Sequence, residues 1–401
     1  MKRNILSLAV LAVVAACFTG CQEDNPVDYP QSSLTYVTKG VYIINSGSTS
    51  WSIDGSLTYI NYDTGTPSAW QNVFKMANGE SLGGNPSDVL IYGEKMYIAG
   101  SDENCIFVLR PRDAKMMKRI FTPDLMGESE GRNPCRFATY DGKVYFCTKG
   151  DGEVCYVAAI DTTDFKLQEM YPVGSCPVGM VFVTDDNNNV SLLVANKGWY
   201  LGEGTFTTID LATDSITNYS YDKIMTPRDI AAIGNKLYVL DAGLEFEEYV
   251  QTEAGLYEIN CDTVTMVVPD ATGMTVVGNY IFTFNDPLGG ADGPSYSIYD
   301  VSSKSLQTLN LIGDSAHPII SPSAIAFDTL TGNLFIASRS SVPEWVLFGD
   351  FLPDYGDGLP GFVNVYHWDG ANQAQFIQSF ETGLEPHKID FFRGMARRVY
   401  W

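Results

Sequence analysis

The residues with the strongest chemical character fall in short polar stretches that follow apolar runs. Asn45 and Trp51 form one such group, and Lys149 and Asp151 another. Asn196, Lys197, Trp199 and Tyr200 form a third. Asp241, Glu245, Phe246 and Tyr249 follow, then Asn285 with Asp286, then Arg339, Trp345, Phe348 and Tyr355. Arg136, Arg228 and His387 each lie within two residues of a proline that opens an apolar stretch. Indole and phenol rings offer stacking surface, and amides, carboxylates and guanidinium groups offer scattered donors and acceptors. That combination suits recognition of a ring-shaped organic ligand with a polar fringe, or of a glycan. Catalytic signals are sparse. The chain has three histidines, His317, His367 and His387, with neither an HExxH pattern nor a P-loop.

A different chemistry is written at the start of the chain. Met1-Lys2-Arg3 is followed by an apolar run from Ile5 to Ala16, the length of a secretory signal and short for a membrane span. Val14-Ala15-Ala16-Cys17 and Phe18-Thr19-Gly20-Cys21 both place small residues before a cysteine. Lipoprotein processing needs that: the thiol accepts a diacylglycerol and the chain is cut before it. Cys21 is the favoured lipidation site, because Gln22-Glu23-Asp24-Asn25 turns the chain polar at once. Residues 1–20 then read as signal peptide and 21–38 as lipidated N-terminus and tether, with Pro26 and Pro30 inside it. Residues 39–401 read as the folded domain.

Six cysteines remain: 105, 135, 147, 155, 176 and 261. Their spacing matches no zinc pattern. Cys147 and Cys155 flank a hairpin turn, and Cys135 and Cys176 flank the prolines of successive repeats. Disulfides and buried free thiols both fit. Asp185-Asp186-Asn187-Asn188-Asn189 and Asp354 to Asp357 lack calcium-loop spacing and read as solvated turns.

The elements that must position these residues are strands. With 37 glycines, 23 tyrosines and 21 phenylalanines, the composition favours a turn-rich β protein. A net charge of −23 repels phosphate backbones and argues against nucleic acid as a partner. One unit recurs along the chain. It opens on a proline-led stretch at Pro86, Pro134, Pro177, Pro227, Pro322 and Pro386, with Thr272 in the same slot. A second stretch follows a short turn, as in KMYIAG from Lys95 and KLYVLD from Lys236. A third runs into an Asp turn, as in FTTIDLATD from Phe206. Successive anchors lie 48, 43, 50, 45, 50 and 64 residues apart, the period of a four-stranded propeller blade. The first unit, from Gly40, lacks an opening strand, and Pro386 to Phe392 is an opening strand without a unit. Joining them predicts an all-β, seven-bladed β-propeller whose first blade is completed by the C-terminal strand, with no free sheet edge. Arg393 to Trp401 have no assigned place, and Ser340 to Pro360 is a long insertion in the last unit.

The opening VYIINSG from Val41, GSLTYINYDTG from Gly55, VFKMANGESLGGNPSDVLIYGEKMYIAG from Val73 and the proline-led repeats resemble YncE-like propellers, the surface lipoproteins of Bacteroidetes. Within that group they are most similar to the BtuG corrinoid-capturing lipoproteins. The resemblance implies an outer-membrane, lipid-anchored protein facing the cell exterior. It implies capture of vitamin B12 or another corrinoid as a transported ligand rather than a cofactor, and delivery to a TonB-dependent transporter. A glycan-binding or protein-interaction propeller and a lactonase-like hydrolase using Asp88, Asp229 or Asp241 are the alternatives. In a propeller, the loops leading into inner strands and those joining second to third strands share one face. The expected ligand residues on that face are Asn45, Trp51, Arg136, Lys149, Asn196, Trp199, Tyr200, Arg228, Asp241, Asn285, Arg339, Trp345 and His387. No metal and no catalytic residue is expected.

Overall fold

The structure, a computed structural model, describes residues 31–400 except 50, 64, 151–153, 186, 200–202, 247–248, 261–262, 287–292, 342–343, 346–352 and 355–357. Two compact units result: residues 38–393, and residues 1–37 together with 394–401. The larger unit is a seven-bladed β-propeller.

The repeat anticipates the blades closely. Blade two, for example, is Pro86–Tyr92, Lys95–Gly100, Cys105–Arg110 and Lys115–Phe121, each antiparallel to the next. Blades three to six repeat this order from Pro134, Pro177, Pro227 and Gly273. Blade seven starts at Ser321 and carries a fifth, parallel strand, Asn310–Ile312, on its outer edge. In blade one the long C-terminal strand Pro386–Tyr400 lies beside Gln31–Asn45, which closes the ring as the split first unit predicts. The final residues therefore do have a place: the closing strand runs on to Tyr400. Its partner begins at Gln31, so strand starts within the stretch read as tether up to Thr38.

The core follows from strand alternation. Successive side chains of one strand point to opposite faces. Val41 and Ile43 enter the gap toward blade seven, and Tyr42 and Ile44 the gap toward blade two. The same rule, repeated, gives seven apolar clusters among the described residues, one in each gap between blades. The proline-led strand is innermost, as expected from its apolar character. The most deeply buried strand is the second one, because the innermost strand keeps one face on the channel. The Asp turns after third strands are held by backbone N–H donors. Asp161 Oδ1 accepts from Thr163 N at 2.6 Å and Asp210 Oδ1 from Ala212 N at 2.9 Å. Asp185 is likewise a turn residue, accepting from Asn187 N and Asn189 N at 2.8 Å each.

The described cysteines 105, 135, 147, 155 and 176 are free thiols. Cys147 sits opposite Val157, so Cys155 is not its direct neighbour across the hairpin. Its direct cross-strand neighbour is Cys135. Cys17, Cys21 and Cys261 lie outside the described residues.

Candidate functional site

The inner strands begin with a recurrent distortion. Register shifts fall at Pro86/Asp88, Cys135/Phe137, Pro177/Gly179, Pro227/Asp229 and Pro322/Ala324. A bulge adds an unpaired residue and re-aims the side chains around it. Arg136 sits in one, at φ 39°. The second residue after each anchor faces the channel, in blade six without such a shift as well. Asp88, Arg136, Gly179, Asp229, Met274 and Lys388 all line one cavity of about 250 Å³. Ala324, the seventh member of this ring, lines a second and larger cavity.

The larger cavity measures about 1220 Å³ and shares Arg136, Asp229 and Lys388 with the smaller one. Its mouth carries Lys197, Trp199, Arg228 and Ala242, from the loops of blades four and five. Its depth is apolar, with Leu240, Phe284, Ile325, Phe327 and Phe391 among the wall residues. Trp199 is 48% exposed at the rim.

Polar groups in the channel are tied to backbone across blade seams. Asp88 Oδ2 accepts from Phe137 N at 2.7 Å, joining blades two and three. Asp390 Oδ2 accepts from Ile91 N at 2.5 Å, joining blades one and two. Burial raises the Asp390 carboxyl to about 6 in spite of its N–H donors. Arg136 donates from Nε to Val178 O at 2.7 Å and from Nη1 to Ser87 O at 3.1 Å. Burial opposes the Arg136 charge, but Asp88 and Asp229 outweigh it and hold its pKa above the ordinary value. His387 Nε2 lies 3.4 Å from Arg136 Nη1. Burial first, then Arg136, Lys388 and Arg339, push the imidazole down to about 3, so it is neutral at physiological pH.

Of the residues expected from sequence, Arg136, Trp199, Arg228 and His387 line this cavity. The other expected residues with described side chains lie elsewhere. Asn45, Asn196, Asp241 and Asn285 are one position repeated, the last residue of a second strand. Asn45 is wholly buried, and its Nδ2 donates to Ser56 Oγ and Thr58 Oγ1 at 3.1 Å each. Asn196 is wholly buried too and donates to Thr207 Oγ1 at 3.1 Å. Glycine makes room for these amides. A Cβ on Gly383 would come within 2.8 Å of the Asn45 side chain, and one on Gly174 within 2.8 Å of Asn196 Nδ2. Asp241 is buried and accepts from Thr226 N at 2.8 Å and Gly243 N at 2.7 Å, with burial raising its pKa. Neither Asn45, Asn196 nor Asp241 lines the cavity: each is turned toward loop or neighbouring-strand groups, and Asn45 Oδ1 and Asn196 Oδ1 are buried without a hydrogen-bond partner among the described residues.

Arg339 is a clip between blades. Its Nε donates to Glu385 Oε2 at 2.7 Å and its Nη1 to Ser321 Oγ at 3.2 Å, with Asp286 Oδ2 at 3.5 Å. Trp51 is 53% exposed, and Lys149 is half-buried beside Cys155, whose Sγ meets Lys149 O at 3.0 Å. Neither lines the cavity. Trp345 lies in a short strand paired with Pro353–Asp354, and its side chain, like Tyr200, is outside the described residues.

Sequence reasoning missed Lys388, Asp390, Met274 and the apolar depth of the cavity. The signal for Lys388 and Met274 was present: they occupy the same repeat position as Asp88 and Arg136. The chain does hold one hydrolase-like spacing. Gly79-Glu80-Ser81-Leu82-Gly83 has the G-x-S-x-G form of a nucleophile elbow. That elbow needs a strand before the serine and a helix after it. Here the helix Val73–Asn78 comes first and the strand Pro86–Tyr92 second, and Ser81 Oγ accepts from Gly83 N at 3.4 Å. The order is reversed, so the serine is a turn residue. Among the described residues no group of His, Cys, Asp and Glu side chains is arranged to hold a metal.

No protein-family model matches the chain, and no curated protein matches it. The YncE-like and BtuG resemblance thus rests on the quoted residues. Solved structures do match. A candidate 6-phosphogluconolactonase from Bacteroides uniformis superposes with a TM-score of 0.56 at 12% identity, over 88% of this chain and 100% of that one. A protein of unknown function from Desulfotomaculum acetoxidans gives 0.55 at 12% identity, over 88% and 99%. A candidate 6-phosphogluconolactonase from Bacteroides fragilis gives 0.53 at 13% identity, over 88% and 98%. At such identities the likeness establishes the β-propeller fold and nothing finer.

Proposed function

We propose that this protein binds a small organic molecule in its channel cavity and passes it on without transforming it. The observation that carries the reading is the 1220 Å³ cavity, apolar in its depth and polar at its mouth. That exceeds the 300–1,000 Å³ usual for small-molecule pockets, so a macrocycle-sized ligand is admissible. Binding is favoured over hydrolysis because the carboxylates Asp88 and Asp390 are engaged by backbone N–H groups across blade seams. The sequence resemblance makes a corrinoid the first ligand to test. In the same reading the protein is anchored by lipid at Cys21, faces outward from the outer membrane and hands its ligand to a TonB-dependent transporter.

Calorimetric titration of the full chain with cyanocobalamin tests the ligand. Saturable heat at micromolar concentrations is expected, and its absence removes the corrinoid. Fractionation of cells carrying Cys21→Ala tests the anchor. The variant should leave the membrane fraction, and retention there would contradict lipidation at Cys21.

A further inference from the structure

The chain carries 48 acidic against 25 basic residues, yet basic side chains crowd the cavity. Arg136, Arg228, Lys197 and Lys388 all line it, against the carboxylates Asp229 and Asp390. Those two are partly engaged already: Asp229 Oδ1 accepts from Ile230 N at 2.9 Å and Asp390 from Ile91 N. Among the described residues, none of the four cations forms an ion pair. Several cations elsewhere are paired, as in Lys39 with Asp63, Arg119 with Glu80 and Lys236 with Glu258. Backbone carbonyls hold Arg136 by Nε and Nη1, which fixes the guanidinium in place at the channel wall. Asp88 and Asp229 offset the Arg136 charge, but Arg228, Lys197 and Lys388 stand around the same void without an ion-pair partner among the described residues. A complementary charge from outside the chain would offset their repulsion.

We infer that this cavity receives an anionic oxygen group, a carboxylate or a phosphate, carried on a ligand with an apolar body. Arg228 and Lys197 supply complementary charge at the mouth and Arg136 and Lys388 on the channel wall, and Leu240, Phe284 and Phe327 take the apolar part. This rests on the reading of the cavity as a binding site. Guanidinium groups suit either anion through paired N–H donors, and the lysines add point charge.

The test uses three probes of one shape on the full chain: naphthoate, naphthyl phosphate and naphthol. The account expects at least one anion to bind about tenfold tighter than naphthol, equivalent to ~1.4 kcal/mol. Naphthoate alone gaining would identify a carboxylate ligand, and naphthyl phosphate alone a phosphate. The advantage should shrink with added salt and in an Arg228→Gln/Lys197→Gln variant, whose substitutions are at exposed positions. Lys388→Gln gives a second, independent loss. Naphthol binding as tightly as both anions would overturn the anion assignment and leave the cavity reading intact. Anion binding unchanged in both variants would do the same. Failure of all three probes to bind would overturn the cavity reading as well.

Discussion

Two regions of each blade hold the same kinds of polar residue and use them in opposite ways. At the end of the second strand, Asn45, Asn196 and Asp241 are buried, the two amides turned to the third strand and Asp241 to loop N–H groups. One strand further in, just after the anchor, Arg136, Arg228, His387 and Lys388 face the channel. Residue type alone does not separate the two positions, since Arg339 ends a second strand while Asp88 and Asp229 face the channel; strand position does. The second strand has a blade neighbour on both faces, so a polar group there is withdrawn from solvent and turned toward groups inside the protein. The bulged start of the inner strand faces an open channel, so a polar group there keeps capacity for something else.

The largest break should come from Arg339. Arg339→Met strands Glu385 and Asp286 near each other without their cation. Losing one partner of such a buried pair costs roughly 3 kcal/mol, and denaturant unfolding should show it. Asp241→Ala removes the acceptor for Thr226 N and Gly243 N, at about 1–3 kcal/mol for the buried donors left unpaired. A neutral result for either substitution would erase the distinction between clip and channel positions.

A pH series sharpens it. His387 falls to about 3 in the folded chain, from about 6.5 when unfolded, so the unfolded chain binds more protons between those values. Its contribution to stability is present above pH 6.5 and is lost as the pH falls toward 3. Asp390, raised to about 6 from about 3.9, acts in reverse: its contribution is present below pH 3.9 and is lost as the pH rises through 6. Between pH 4 and 6 the two oppose each other. His387→Gln should therefore gain stability relative to the wild type as the pH drops below 6.5, by up to about 1.4 kcal/mol per pH unit. A constant difference across the series would contradict a buried neutral imidazole. The smallest stability effect belongs to Arg228→Gln, an exposed channel residue, at within about 0.5 kcal/mol.

The blades were legible because a period of strands and turns survives sequence divergence between units. Even Thr272, with no proline, is recognisable by the Gly273-Met-Thr-Val-Val run after it. Ring closure was legible because the first unit lacks what the last strand provides. The site was legible only at Arg136, Trp199, Arg228 and His387. Asn45 and Arg339 look like ligand residues in sequence because a buried clip and a binding group share the same chemistry. The distinction depends on a bulge and on neighbouring blades, and neither shows in composition. Lys388 and Met274 could have been found by aligning the repeats position by position, since Asp88 and Arg136 hold the same slot. The apolar depth draws on blades one, five, six and seven together, and no local pattern announces that assembly.

The central claim is that the large cavity is where a ligand is held. Its most direct test is a cyanocobalamin titration of the wild-type chain beside Thr275→Trp, which fills the cavity from the inner strand of blade six. The account predicts saturable binding by the wild type and its loss in the folded variant. Binding of equal strength by both proteins would place the ligand elsewhere and contradict the account.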